Sequence, residues 1–147
     1  MLQASSFAAH SAEFVADGVS MARLHELAGE VRDSIEIVHT SEYPSFLKFF
    51  FDAFAALLRR RTKPRSGDAT EQRLRTVVLE VLNRLPQNDI LRPYVDKLLD
   101  LVFHVLKEDS EETAVVCLRI IFDAHKTFRP ELSRQVQPFL AVSYTHL

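Results

Sequence analysis

Cysteine occurs once and glycine only three times in the 147 residues of this chain. A single cysteine excludes an internal disulfide framework and fits a reducing compartment. The scarcity of glycine, together with the lack of any sustained alternation of apolar and polar residues, favours an all-α fold. Gly-rich phosphate loops, Cys-x-x-Cys pairs and Gly-x-Ser-x-Gly elbows are missing as well, so the common signatures of nucleotide binding, metal binding and hydrolysis assign no activity.

The chain also lacks a strong excess of charge of either sign. Its formal net charge is −2, which gives no reason to expect direct nucleic-acid binding. No basic segment followed by an apolar run opens the sequence, so we expect no signal peptide. The most apolar stretch, residues 46–58, is about half a membrane span and contains Lys48 and Asp52, so we expect no membrane segment.

What the sequence does contain is helical periodicity, with apolar residues three and four positions apart. The pattern predicts helices over about residues 19–39, 44–61, 69–85 and 131–140, and a helical hairpin over residues 91–130. Within that hairpin, residues 114–124 carry only two charged side chains, Arg119 and Asp123. A helix that is apolar nearly all round must be covered on more than one side, so the hairpin needs neighbours.

Three prolines predict how these helices are arranged. Pro44, Pro93 and Pro130 each fall in a predicted first helical turn, 49 and 37 residues apart. These intervals bracket the roughly 40–47 residues of HEAT-type repeats. We therefore predict an all-α, HEAT-like α-solenoid of stacked antiparallel helix pairs, with a closed four- or five-helix bundle as the competing architecture.

The same pattern divides the chain into three parts. Residues 1–18 are weakly patterned, and they either pack or fray. Residues 19–140 form the predicted HEAT-like repeat domain. Residues 141–147 lack a helical pattern, and we predict an unstructured or non-native tail.

Two residue groups have the composition of chemical sites, but their surroundings favour other roles. Glu36 and His39 have the i, i+3 spacing of half a di-metal carboxylate site, but no second Glu-x-x-His is present, so solvent-facing polar residues are the favoured interpretation. Cys117 with His104 or His125 suggests a nucleophile and a base, but Cys117 lies in an apolar run, where free cysteine usually packs.

One dense basic cluster remains, comprising Arg59, Arg60, Arg61, Lys63 and Arg65. Such a cluster can bind phosphates or acidic partners, or act as a nuclear import signal. The simpler interpretation is that cations at the end of a helix offset the helix dipole and keep the following loop solvated. No aromatic residues are interleaved with these cations for base stacking.

Several segments together resemble a known family. They are residues 32–39, 82–86, 91–93, 117–123, 128–130 and 136–139. In order and spacing they are similar to the N-terminal region of the transformation/transcription domain-associated protein family, very large scaffolds related to the phosphatidylinositol-3-kinase-like kinases. The resemblance covers roughly residues 23–140.

The resemblance implies a function as well as a fold. It implies HEAT-like repeats in a nuclear scaffold subunit of SAGA-type and related histone-H4 acetyltransferase complexes, which receives transcription activators. The family's kinase-like domain lacks catalytic residues and lies far beyond this chain. We therefore expect no enzyme activity, no catalytic, cofactor-binding or metal-binding residue, and no small-molecule substrate. The alternatives are a HEAT-type transport or trafficking adaptor and, less favoured, a helical-bundle metalloenzyme that uses Glu36 and His39.

Overall fold

The computed structural model describes residues 2–60, 69–108 and 111–146, with side chains up to residue 128 in the last range. The helices in these ranges are α1 (Phe7–Val15), α2 (Met21–Asp33), α3 (Tyr43–Arg59), α4 (Ala69–Asn83), α5 (Val95–Glu108) and α6 (Glu111–His146). Short 3-10 turns span Ala4–Ser6, Ile35–His39 and Arg92–Tyr94. No strand occurs in the described ranges, and the predicted all-α class is confirmed.

The helices form two layers of stacked pairs. In one layer α1 packs on α3 and α3 packs on α5, and in the other α2 packs on α4 and α4 packs on α6. The layers meet where α1 contacts α2 and α5 contacts α6. This arrangement is that of successive helix pairs in a HEAT-like stack, as the proline spacing predicted.

Side-chain contacts give the helix directions. The carboxylate of Glu30 in α2 meets the ring of His10, whereas Arg23 near the start of α2 meets Glu13 further along α1. The helices α1 and α2 are therefore antiparallel, as predicted for a pair.

Phenylalanine rings build the interface between α1 and α3. Phe7 lies edge-on to Phe50 at a centroid distance of 5.4 Å, and Phe14 lies edge-on to Phe54, also at 5.4 Å. Edge-to-face contact of this kind stabilises the interface by more than the burial of the rings alone. Because the earlier ring of α1 meets the earlier ring of α3, these two helices run parallel, as equivalent helices of neighbouring pairs do.

Both ends of α3 are tied to other parts of the chain. At its start the Tyr43 hydroxyl donates a hydrogen bond of 2.9 Å to the carbonyl oxygen of Pro86, just beyond α4. At its end the guanidinium of Arg75 in α4 donates 2.8 Å to the carbonyl oxygen of Leu58. The last carbonyl groups of a helix have no N–H donor within the helix. Buried Arg75 supplies a donor to one of these carbonyl groups.

The structure differs from the predicted helices in three places. The helix predicted over residues 19–39 stops at Asp33 and continues as a 3-10 turn, with Ser34 at φ −106° and ψ 19° between them. The hydroxyl of Ser34 accepts a hydrogen bond of 3.1 Å from the backbone N–H of Leu2. The spacing of apolar residues indicates only which face of a helix is buried. A break of one residue leaves that spacing almost unchanged, so the sequence pattern did not predict the break.

The other two differences lie at the ends of the chain. Within residues 1–18 the chain forms α1, and Phe7 and Phe14 are fully buried, so this segment packs. At the other end α6 kinks at Phe128 and continues to His146, through residues predicted to lack regular structure. Pro130 lacks the N–H that would continue the helical ladder, which accounts for the kink.

Candidate partner-binding surface

The basic cluster begins at the C-terminal end of α3. Arg59 is the last residue of that helix, and Arg60 is its C-cap, whose backbone N–H donates 3.1 Å to the carbonyl oxygen of Ala56. Both arginine side chains are exposed. Arg61, Lys63 and Arg65 lie outside the described residues. The structure therefore places two of the five predicted cations on one exposed helix end.

The partial charge at the end of α3 gives Arg59 and Arg60 a structural role as well. The end of a helix carries partial negative charge on its unpaired carbonyls. Arg59 and Arg60 lie within that last turn, and Arg75 already neutralises the carbonyl of Leu58 from the buried side. Among the described residues neither Arg59 nor Arg60 forms an ion pair with a carboxylate, so both remain available to an acidic partner.

Two shallow grooves flank this helix end. Arg59 borders the groove between α3 and α5, which is lined by Phe51, Asp52, Ala55, Lys97, Asp100 and Leu101. Charges of both signs therefore border this groove. Arg60 borders the groove between α1 and α3, where Phe14, Val15, Ala56 and Leu57 form an apolar floor. A cation above an apolar floor is a surface that suits an amphipathic protein segment better than a small polar substrate.

Glu36, His39 and Cys117, the candidate chemical residues of the sequence, lie away from this surface. Glu36 and His39 are both exposed on the 3-10 turn after α2. Within the part of the chain that the structure describes, no group of three His, Cys, Asp or Glu side chains could hold a metal ion. Cys117 is fully buried in α6, and its environment matches the predicted packing role.

Among the described residues, the pKa values of one phenol and one carboxyl group are clearly shifted, and both shifts have structural causes. Burial raises the pKa of the Tyr43 phenol well above its usual range. A hydrogen bond from Arg23 lowers the pKa of the Glu13 carboxyl, against a smaller opposing effect of desolvation. Tyr43 and Glu13 each tie two helical elements together and lie apart from Arg59, so neither shift indicates acid–base chemistry at the basic cluster.

Sequence reasoning missed two features of the structure. Arg75 is only 2% exposed, although its charge predicts a solvent-facing position. The available signal was its spacing, since Val78 and Leu82 lie three and seven residues further on, along one buried face of α4. The second feature is an exposed apolar stripe on α6, because apolar composition alone does not tell which side of that helix is covered.

No helix within the described residues is long and apolar enough to cross a membrane. The fold defines a class: a segment of a HEAT-like helical scaffold with a packed apolar interior.

Comparison with known proteins identifies the relatives of this segment. It is 46% identical over 120 residues, or 82% of the chain, to the probable transcription-associated protein 1 of Dictyostelium discoideum. It is 35% identical over 76% of the chain to the human transformation/transcription domain-associated protein. It is 26% identical over 90% of the chain to the SAGA complex/NuA4 acetyltransferase complex subunit TRA1 of Saccharomyces cerevisiae. The predicted resemblance to the transformation/transcription domain-associated protein family is therefore confirmed.

The chain spans only about 3% of the length of the first two relatives and 4% of the third. No protein-family model matches the chain, and no solved structure matches it significantly.

Proposed function

We propose that this chain is a non-catalytic segment of a transcription-coactivator scaffold, formed by N-terminal HEAT-like repeats and acting in SAGA-type or histone-H4 acetyltransferase complexes. The observation that carries the proposal is the 46% identity to a transcription-associated protein over most of the chain. The names of two yeast relatives, subunits of the SAGA and NuA4 acetyltransferase complexes, support the same class of complex. Its partners are then other protein subunits and transcription activators, and its site of action is the nucleus.

The proposed mechanism is geometric. Stacked pairs with a closed apolar interior hold exposed side chains at fixed spacings, so a partner meets a preorganised surface. The outer face of α5 illustrates this, because Asp96, Lys97 and Asp100 are exposed while Leu98 and Leu99 are buried. Such a segment contributes to assembly through position and rigidity.

Within this proposal the basic cluster of Arg59, Arg60, Arg61, Lys63 and Arg65 contacts an acidic partner or an import receptor. The exposure of Arg59 and Arg60 and their position between two grooves support that role. The contact is electrostatic, so it should weaken as the salt concentration rises.

Affinity purification of the parent protein tests the scaffold role. Acetyltransferase subunits should co-purify with it. Recovery of transport cargo in their place would support the trafficking adaptor and overturn the scaffold proposal.

A pair of variants in the parent protein tests the basic cluster separately. Arg59→Glu combined with Arg60→Glu should reduce recovery of at least one subunit or reduce nuclear accumulation. The matched control combines Arg73→Glu with Arg84→Glu, two exposed arginines of α4 and the turn that follows it. Unchanged subunit recovery and unchanged nuclear accumulation in the first variant would reject the role of the cluster and leave the scaffold proposal intact.

A further inference from the structure

Arg75 carries a charge into the interior of the stack. It is only 2% exposed, whereas arginine is almost never fully buried unless its guanidinium has partners. The guanidinium donates a hydrogen bond of 2.8 Å to the carbonyl oxygen of Leu58, in the last turn of α3. Burying a charged group costs free energy that such bonds must offset. The position of Arg75 is therefore tied to the end of α3, where the basic cluster begins.

That hydrogen bond lies next to the first two cations of the cluster. Leu58 directly precedes Arg59, the last residue of α3, and Arg60 is the C-cap of the same helix. Arg60 and Arg75 line one small recess between α2, α3 and α4, together with the buried side chain of Glu71. Arg75 therefore reaches the end of α3 from the interior, whereas Arg59 and Arg60 are exposed.

The bond from Arg75 also fills a role that exposed cations often fill. The last carbonyl groups of a helix lack donors within the helix, and basic side chains near a helix end can bond to them. Because Arg75 already donates to the carbonyl oxygen of Leu58, that group is satisfied from the interior. Neither Arg59 nor Arg60 is required for that role, so both can project from an ordered helix end.

We propose that Arg75 is a positioning residue for the basic cluster. It holds the last turn of α3 in helical form, so that Arg59 and Arg60 meet an acidic partner at a fixed spacing. The inference rests on the partner contact proposed above for the cluster. Buried Arg75 does not itself touch the partner. Its contribution is to order the turn in advance, which lowers the entropy cost of the contact.

Hydrogen exchange of the 147-residue chain, followed by NMR, tests the local effect. The backbone N–H groups of Phe46 and Arg60 form hydrogen bonds at the start and at the end of α3. In Arg75→Met the exchange rate of the Arg60 amide, relative to that of the Phe46 amide, should rise about tenfold, the order expected when one hydrogen bond is lost. Arg84→Met, at an exposed position, should leave the ratio unchanged. An equal rise at both amides would indicate a general loss of stability and overturn the proposal.

The functional effect is measured in the parent protein, against the subunit recovery or nuclear accumulation that Arg59→Glu combined with Arg60→Glu loses. Arg75→Met should lose the same recovery or accumulation. Arg75→Lys keeps the charge and can donate one hydrogen bond, so it should restore part of the loss. Arg75→Met added to the double glutamate variant should cause no further loss, because the cluster then no longer binds.

Leu85→Ala is the control for a loss of stability in itself. Leu85 is 3% exposed and precedes Pro86, whose carbonyl oxygen accepts from Tyr43 at the start of α3. This variant therefore weakens packing at the opposite end of α3 and leaves the bond of Arg75 in place. It should retain subunit recovery and nuclear accumulation. A loss as large as that of Arg75→Met would overturn the positioning role.

Two further results separate this inference from the function of the cluster. If the double glutamate variant changes neither recovery nor accumulation, the cluster has no partner and the inference fails with it. If that variant loses the partner while Arg75→Met retains it, the cluster binds without Arg75, and the inference alone is overturned.

Discussion

Helix α3 and residues 114–124 of α6 are both rich in apolar side chains, yet their surroundings differ. α3 lies between α1 and α5 in its layer, and three of its phenylalanines, Phe46, Phe50 and Phe54, are at most 1% exposed. α6 packs on α4 in its own layer, and its opposite side exposes Val115 and Phe122. Apolar composition thus predicts that a helix needs neighbours, whereas its position in the stack decides which of its sides receives one.

The largest effect is expected at the centre of α3. Phe50→Ala removes a fully buried ring that contacts Phe7 and Phe14 of α1. We expect this variant to lower the free energy of unfolding by about 3–5 kcal/mol, because the neighbouring rings cannot close the cavity. Urea denaturation monitored by circular dichroism measures the change.

Phe122→Ala is the matched control in α6. We expect a loss of about 1 kcal/mol, well below that of Phe50→Ala, since the ring is 45% exposed. Similar losses of unfolding free energy in Phe122→Ala and Phe50→Ala would contradict the difference between α3, which has a neighbour on both sides in its layer, and α6, which has one on a single side.

A second pair of variants makes the same comparison within α6. Ile121→Ala should cost about 2–5 kcal/mol, because Ile121 is fully buried. Val115→Ala, on the exposed side, should change the free energy of unfolding by no more than about 0.5 kcal/mol. Ile121→Asp should be worse than Ile121→Ala, since it buries a charge without a partner. Near-unchanged melting of Ile121→Ala would contradict the packing of α6 on α4 and α5.

Much of the fold could be predicted from the sequence because helix periodicity records burial directly. The buried side of α5, including Leu98, Leu101 and Val105, is the predicted one, and α3 and α4 begin and end close to their predicted residues. The stacked arrangement could also be predicted, because Pro44 lies in the first turn of α3 and Pro93 in the 3-10 turn just before α5, and these two helices belong to the same layer.

The rest depends on contacts between residues far apart in sequence. Phe7 and Phe14 gave too weak a pattern to predict α1, because a nine-residue helix shows only two turns of periodicity. Arg75 is buried because its guanidinium reaches the carbonyl of Leu58, which no local pattern encodes. The basic cluster was visible as composition, but its place between two grooves followed only from the packing of α1, α3 and α5.

A smaller effect is expected where α3 begins. Tyr43→Phe removes the hydroxyl that donates to the carbonyl oxygen of Pro86 and keeps the ring. The loss should be about 0.5–1.5 kcal/mol, the usual net contribution of one hydrogen bond. Thermal and urea unfolding at neutral pH measure it.

Tyr43 also makes the free energy of unfolding depend on pH, and the direction of that dependence follows from the shift of its pKa. Burial raises the pKa of Tyr43 in the folded chain above the value of about 10 in the unfolded chain. Its contribution is therefore fully present below pH of about 10 and is lost as the pH rises towards the folded pKa. Comparison with Tyr43→Phe isolates this residue from the other tyrosines. An identical pH dependence above pH of about 10 in both chains would contradict the assignment.

The smallest effect concerns the pair that joins α1 to α2, at the end of the stack opposite α6. The guanidinium of Arg23 donates to both carboxylate oxygens of Glu13, at 2.6 and 3.2 Å, which lowers the pKa of Glu13. The stabilising contribution is therefore present above the unfolded pKa and is lost as the pH falls through the folded value. In Arg23→Gln we expect the pKa of Glu13, followed by NMR, to rise towards its ordinary value of about 4.3.

Arg84→Gln is the control for that measurement, because Arg84 is exposed and has no carboxylate partner among the described residues. It should leave the pKa of Glu13 unchanged. If Arg23→Gln also left that pKa unchanged, the bidentate contact would contribute nothing to the position of α1. The contacts that hold α1 would then be those of Phe7 and Phe14 with α3 and that of His10 with Glu30 of α2.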